Sequence, residues 1–257
     1  MPRIEERCRP PWHPHWVRIC TGTGDIHPTP EGVRLHVAPG TGERYHLAEL
    51  DDTHMRPRHA YLWRPPARLR VRARFSSPAT LRGTAGFGFW NMAVSTTADS
   101  VAFIAPQVFW VFLASPPNRL AVTPGWSGRG FFVQSIRSPT VPRLVERLGA
   151  LALRLPLVSR LAYRTAQAMV PAAEQPLDDI DPTAWHTYLL EWEAARVRCL
   201  VDDQVVLDAP IAPRAPLGFV AWVDNQFAAM DGTLRGGWLS VEHAQFLELS
   251  EILIEGT

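Results

Sequence analysis

Proline and glycine, 24 and 17 of them in 257 residues, are spread along the chain and cut its apolar segments into short runs. That punctuation favours an all-β sandwich of many short strands. The spacing predicts strands at Val33–Val37, Arg44–Leu50, Leu69–Phe75, Gly86–Ala93, Val101–Ala105, Gln107–Leu113 and Phe131–Ile136. It predicts six more at Trp185–Glu193, Arg196–Val201, Gln204–Asp208, Leu217–Val223, Gly237–Val241 and Phe246–Ile254. Between Leu69 and Phe75 apolar residues alternate with three arginines, so one face is expected to be solvated while the other packs inward. With 46% hydrophobic residues, the chain suffices for one large domain spanning 1–257. Residues 1–30 read as an N-terminal arm.

One segment departs from this pattern. From Pro142 to Met169, Leu144, Leu148, Leu151, Leu155, Val158, Leu161 and Ala162 recur at helical spacing, with Pro156 separating two short helices. Six arginines stand against one acid, Glu146, between Arg137 and Arg164. A helical insertion at 138–172 is expected. It could pack on the outside of the sandwich, form a lid over an apolar pocket, or make peripheral contact with a membrane.

The net charge of +1 gives no global field that would select nucleic acid. All 26 residues counted as lysine or arginine are arginine, which excludes a Schiff-base lysine or a lysine general base. Three cysteines argue against a disulfide framework. The N-terminus lacks the apolar segment of a signal peptide, and no apolar run is long enough to span a bilayer. A soluble, cytoplasmic protein without a cofactor is the expectation.

The segment Trp185-His186-Thr187-Tyr188-Leu189-Leu190-Glu191-Trp192-Glu193, followed by Arg196 to Gln204, resembles the "WHTY-x-x-EW" hairpin of glycoside hydrolase family 16 and its concanavalin A-like relatives. Asp202-Asp203 stands where the family has Asp-Gly, so these aspartates are expected to adopt positive φ. Leu69–Phe75, Gly86–Met92, Pro216–Phe227 and Phe246–Ile254 resemble further strands of the family in the same order. The resemblance implies a concanavalin A-like jelly-roll sandwich of two antiparallel sheets with a helical insertion. A fold of this kind hosts hydrolases and lectins alike.

The family carries E-x-D-x-E on one strand, and its retaining chemistry needs two carboxyls about 5–5.5 Å apart. The matching strand here reads Gln107-Val108-Phe109-Trp110-Val111-Phe112-Leu113, with no carboxylate on either face. The 93 residues between Asp52 and Glu146 hold twelve arginines and a single acid, Asp99. The cleft is therefore expected to lack its acids, and retaining hydrolysis is not expected.

Other residues offer ligand contacts. Trp222, Asp224 and Gln226 alternate on one strand face, an arrangement suited to stacking a sugar ring and holding its hydroxyls; the alternative is a strand end where Asp224-Asn225 starts a turn. Trp90, Asn91, Trp110 and Trp126 could line the same cavity or belong to the core. Asp224, Glu193 and His186 are weak catalytic candidates, Glu193 sharing a strand face with Glu191. Cys8, His13, His15 and Cys20 offer zinc-type ligands within thirteen residues, although their spacing matches no common site, so no metal is expected. Gly125 to Gly130 reads as a loop at the cleft rim. The leading expectation is a non-hydrolytic protein binding a carbohydrate or an apolar small molecule. The alternatives are an enzyme of different chemistry (hydrolase, isomerase or cyclase) built on Asp224, and a peripheral membrane protein.

Overall fold

The computed structural model describes residues 2–54, 56–92, 94–97, 100–103, 105–140, 169–230 and 234–256. The helical pattern at 142–169 lies almost wholly outside them. The described ends of the expected insertion are an irregular stretch at 138–140 and the beginning of a strand at Ala172. Among the described residues no helix is long and apolar enough to cross a membrane.

Two antiparallel sheets make up the sandwich. The eight-stranded sheet runs in the order β15 (Gln204–Ala209), β14 (Val197–Val201), β13 (His186–Trp192), β6 (Ala67–Phe75), β19 (Gln245–Gly256), β4 (Val33–Val37) and β3 (Gly24–Pro28), with β1 (Arg3–Glu6) also paired to β19. The seven-stranded sheet runs β12 (Ala172–Pro176), β11 (Gly130–Arg137), β10 (Gln107–Ala114), β7 (Thr84–Trp90), β16 (Gly218–Asp224), β5 (Leu47–Asp51) and β2 (Val17–Thr21). Two hairpins stand apart, β8 (Val94–Thr97) with β9 (Ser100–Phe103) and β17 (Gln226–Met230) with β18 (Leu234–Trp238). The first 30 residues are thus more than an arm, since β1, β2 and β3 add strands to both sheets. They are short and half polar, so their local pattern does not reveal their pairing.

Alternation fixes which side chains meet between the sheets. Phe75, Phe87, Phe89, Phe109, Tyr188 and Trp192 interlock in the core. Each such side chain contributes on the order of 2–3 kcal/mol by leaving water. A buried carboxylate sits among them. Asp52 accepts from the Trp63 indole N–H at 2.6 Å and from the Phe219 amide at 2.8 Å, tying β5 to β16 and to the segment before β6.

On the other face of β6 the arginines alternate outward as expected and pair across the sheet: Arg68 with Glu191, Arg70 with Glu251, and Arg74 with Glu248, which Arg34 also reaches. The β14–β15 turn places Asp202 at φ 46° and Asp203 at φ 65°, as the missing glycine requires. The Asp202 carboxylate caps the Thr187 amide and pairs with His186, whereas Asp203 is exposed. Asp203→Gly is therefore expected to stabilise the protein by up to about 1 kcal/mol, because glycine takes positive φ without strain. A urea titration checks this, and an unchanged or lower midpoint would contradict it.

Candidate functional site

The outer face of the seven-stranded sheet carries a second apolar cluster, separate from the core. It comprises Leu47, Phe112, Ala114, Phe132, Val220 and Trp222, with Trp90, Trp110, Trp126 and Tyr45 half-buried against it. Pairing across strands explains how so many rings fit. Gly86 stands between Phe112 and Trp222, and Gly88 between Trp110 and Val220. A Cβ on Gly86 would lie 2.4 Å from Cβ of Phe112 and 2.9 Å from the Trp222 ring. The two glycines leave a trough on β7 into which the flanking rings lean, and Trp110 and Trp222 approach to 5.3 Å between centroids.

Polar groups frame the rings at both ends. Toward β12, the Trp110 indole donates to Gln134 at 2.9 Å, and the Gln134 amide donates to Glu174. Glu174 also accepts from the amides of Val122 and Thr123, which holds the loop bearing Trp126 against the sheet. Toward β5, Asp224 accepts from the Thr84 amide and hydroxyl, the Gln226 amide and the Tyr45 hydroxyl. Thr84 in turn accepts from the Trp222 indole at 2.8 Å. Burial raises the Asp224 carboxyl to about 6 against the pull of these donors. The Tyr45 ring stacks on Trp238, an exposed aromatic of the β17–β18 hairpin.

Beside Asp224, β5 brings two acids that local pattern does not connect to it. Glu49 pairs with Trp222 and Asp51 with Val220, so both point to this face. Burial, then Asp51 and Asp224, push the Glu49 carboxyl well above the usual carboxylate range, and no hydrogen-bond donor is among the groups acting on it. The sequence places only Asp224 among the acids on this face, and the structure adds three more. The strand Gln107–Ala114 indeed carries no carboxylate, but Glu49, Asp51, Asp224 and Glu174 arrive from other strands of the same sheet. Glu49 and Asp51 precede the acid-poor interval, and only their pairing with β16 places them here.

Of the expected ligand residues, Trp90, Trp110, Trp126, Trp222 and Asp224 share this face. Asn91 does not offer a free amide, for its two ends hold the Gln107 amide and the Ala105 carbonyl. Gln226 opens the side hairpin, opposite Trp238. Glu193 and His186 belong to the other sheet's side of the molecule. His186 is tied to Asp202 and to the Asp181 carbonyl, and Glu193 is exposed just past β13. Cys8, His13, His15 and Cys20 are not brought together. Cys8 is buried in the core with its thiol raised by burial, and Cys20 is exposed on β2. Among the described residues the one group placed to hold a metal ion is Glu49, Asp51 and His54.

The two antiparallel sheets and their order form a jelly-roll sandwich. No protein-family model matches the chain, and no curated protein matches it in sequence. Solved structures do match over nearly the whole chain. A Bacillus licheniformis β-glucanase is 9% identical, with a TM-score of 0.55 over 99% of this chain and 98% of that one. The laminarinase catalytic domain from Thermotoga maritima gives 9% identity and a TM-score of 0.55, covering 99% and 97%. A legume lectin-like domain from Entamoeba histolytica gives 7% and 0.52, covering 99% and 97%. This likeness establishes the fold.

Proposed function

We propose that this protein binds carbohydrate on the outer face of the seven-stranded sheet, without the double-displacement hydrolysis of family 16. The observation that carries this reading is the half-buried row Trp90, Trp110 and Trp126, set between the Glu174–Gln134 and Asp224–Tyr45 polar groups. Sugar rings stack their C–H faces on indoles, while their hydroxyls need fixed donors and acceptors nearby. The Trp90 indole N–H makes no internal hydrogen bond, although it is buried. Glucanase and lectin neighbours support a sugar over an apolar ligand. The missing carboxylates of β10 argue against retaining hydrolysis.

Calorimetric titration with β-1,3- and β-1,4-linked glucan oligosaccharides tests this. Saturable binding is expected, and Trp110→Ala is expected to weaken it at least tenfold at unchanged secondary structure. Absence of binding across the panel would sink the proposal.

Burial raises the carboxyls of Glu49 and Asp224, which favours one second reading, an enzyme that uses one of them as a general acid. Release of reducing sugar that disappears in Asp224→Asn would move the assignment there.

A further inference from the structure

We propose that Glu49, Asp51 and His54 bind a single divalent transition-metal ion of the Mn2+ or Zn2+ type. All three ligands come from six consecutive residues at the end of β5, so the site forms locally. The Glu49-x-Asp51 spacing puts both carboxylates on the outer face, and the turn that follows returns His54 to them. One ligand atom from each of the three lies within 4.8 Å of the others.

The carboxylate of Asp51 is already oriented. Its Oδ1 accepts from the Thr53 amide and hydroxyl and from the His54 amide, at 2.6, 2.7 and 2.8 Å. Its Oδ2 is buried and makes no hydrogen bond, although His54 Nδ1 stands 3.4 Å away. A fully buried carboxylate oxygen without a partner is expensive, and Glu49 is only 7% exposed beside it. No arginine is among the groups acting on Glu49; Arg56 acts instead on Asp52. A cation between the three side chains would satisfy the unpartnered oxygen and offset both carboxylates.

The donor set selects the ion. Calcium takes six to eight oxygens, whereas one imidazole with two carboxylates suits zinc or manganese. Ligands about 2.1 Å from a tetrahedral ion stand roughly 3.4 Å apart, the spacing already held by Asp51 and His54. The His54 side chain is 46% exposed, so an ion would enter from that side and keep its remaining positions open to water. The site lies three strands from β10, where the resemblance puts the family's acids. It does not depend on the carbohydrate proposal.

The test uses the full chain, stripped with chelator and titrated calorimetrically with Zn2+ and Mn2+, with Ca2+ as the control. One equivalent of Zn2+ or Mn2+ is expected to bind and to raise the melting temperature. Glu49→Gln and His54→Ala are each expected to weaken binding at least tenfold, and Asp208→Asn on the opposite sheet to leave it unchanged. If Glu49→Gln does not fold, the exposed His54→Ala decides alone. No saturable binding, binding that His54→Ala leaves intact, or tighter binding of Ca2+ than of the other two would overturn the assignment.

Discussion

Gly86→Val is expected to abolish folding, and Gly86→Ala to lower stability by about 3 kcal/mol, the upper end of what overpacking costs. The new Cβ would meet Cβ of Phe112 at 2.4 Å and the Val111 carbonyl oxygen at 2.7 Å. Both belong to the central strand β10 and cannot turn aside as a long side chain would. The Trp222 ring, at 2.9 Å, blocks the other direction. Relief would require β7 to part from β10 or the aromatic face to repack, and a domain of ordinary stability, about 5–15 kcal/mol, has little margin for that. Gly125 supplies the control. It has φ of +88°, but a Cβ at this position would meet nothing within 4 Å, so Gly125→Ala should show only the conformational penalty of about 1–2 kcal/mol. Urea unfolding of the two variants separates the effects. An unchanged midpoint for Gly86→Ala would mean that Phe112 and Trp222 do not flank it.

Stability is also expected to fall by several kcal/mol between about pH 4 and pH 7, in chelator. Burial raises the Asp52 carboxyl to about 7 and that of Asp224 to about 6, from a reference of 3.8. Between the unfolded and folded values the native state holds more protons than the unfolded chain. Each raised acid therefore makes stability decline as pH rises, by up to about 1.4 kcal/mol per pH unit. Above the folded values the decline stops. Asp202, hydrogen-bonded to His186, and the fully buried Glu248, bonded by Thr29 and two arginines, are held below their usual range. These contribute in the opposite sense, and only as pH drops below about 4. The urea midpoint should therefore peak near pH 4–5, and Asp52→Asn should flatten the decline above it. A midpoint that climbs from pH 4.5 to 7.5 would contradict the burial assigned to these carboxyls.

Strands were legible where apolar residues alternated or ran unbroken between turn residues. Val33–Val37 has the expected bounds, and Gln107–Leu113 differs from β10 by one residue. The positive φ at Asp202 and Asp203 followed from a turn that lacks glycine. The strands of the first 30 residues were not legible, because their short polar sequences gain a sheet only through partners such as β5 and β19. The candidate site divides in the same way. Alternation within one strand put Trp222 and Asp224 on a common face, and Trp110 with Phe112. Which acids share that face is a matter of β5 pairing with β16 and β12 with β11, contacts between residues far apart in the chain. Glu49 lies on the expected strand Arg44–Leu50 and Asp51 just past it, but nothing local joins them to Asp224.

The arginine rows of the eight-stranded sheet make the sandwich two-sided in its response to solvent. One outer surface is a lattice of opposite charges that added salt loosens. The other is a floor of indole and phenyl rings that depends on dispersion and on the exclusion of water. Ionic strength and apolar cosolvents therefore act on opposite sides of the same core.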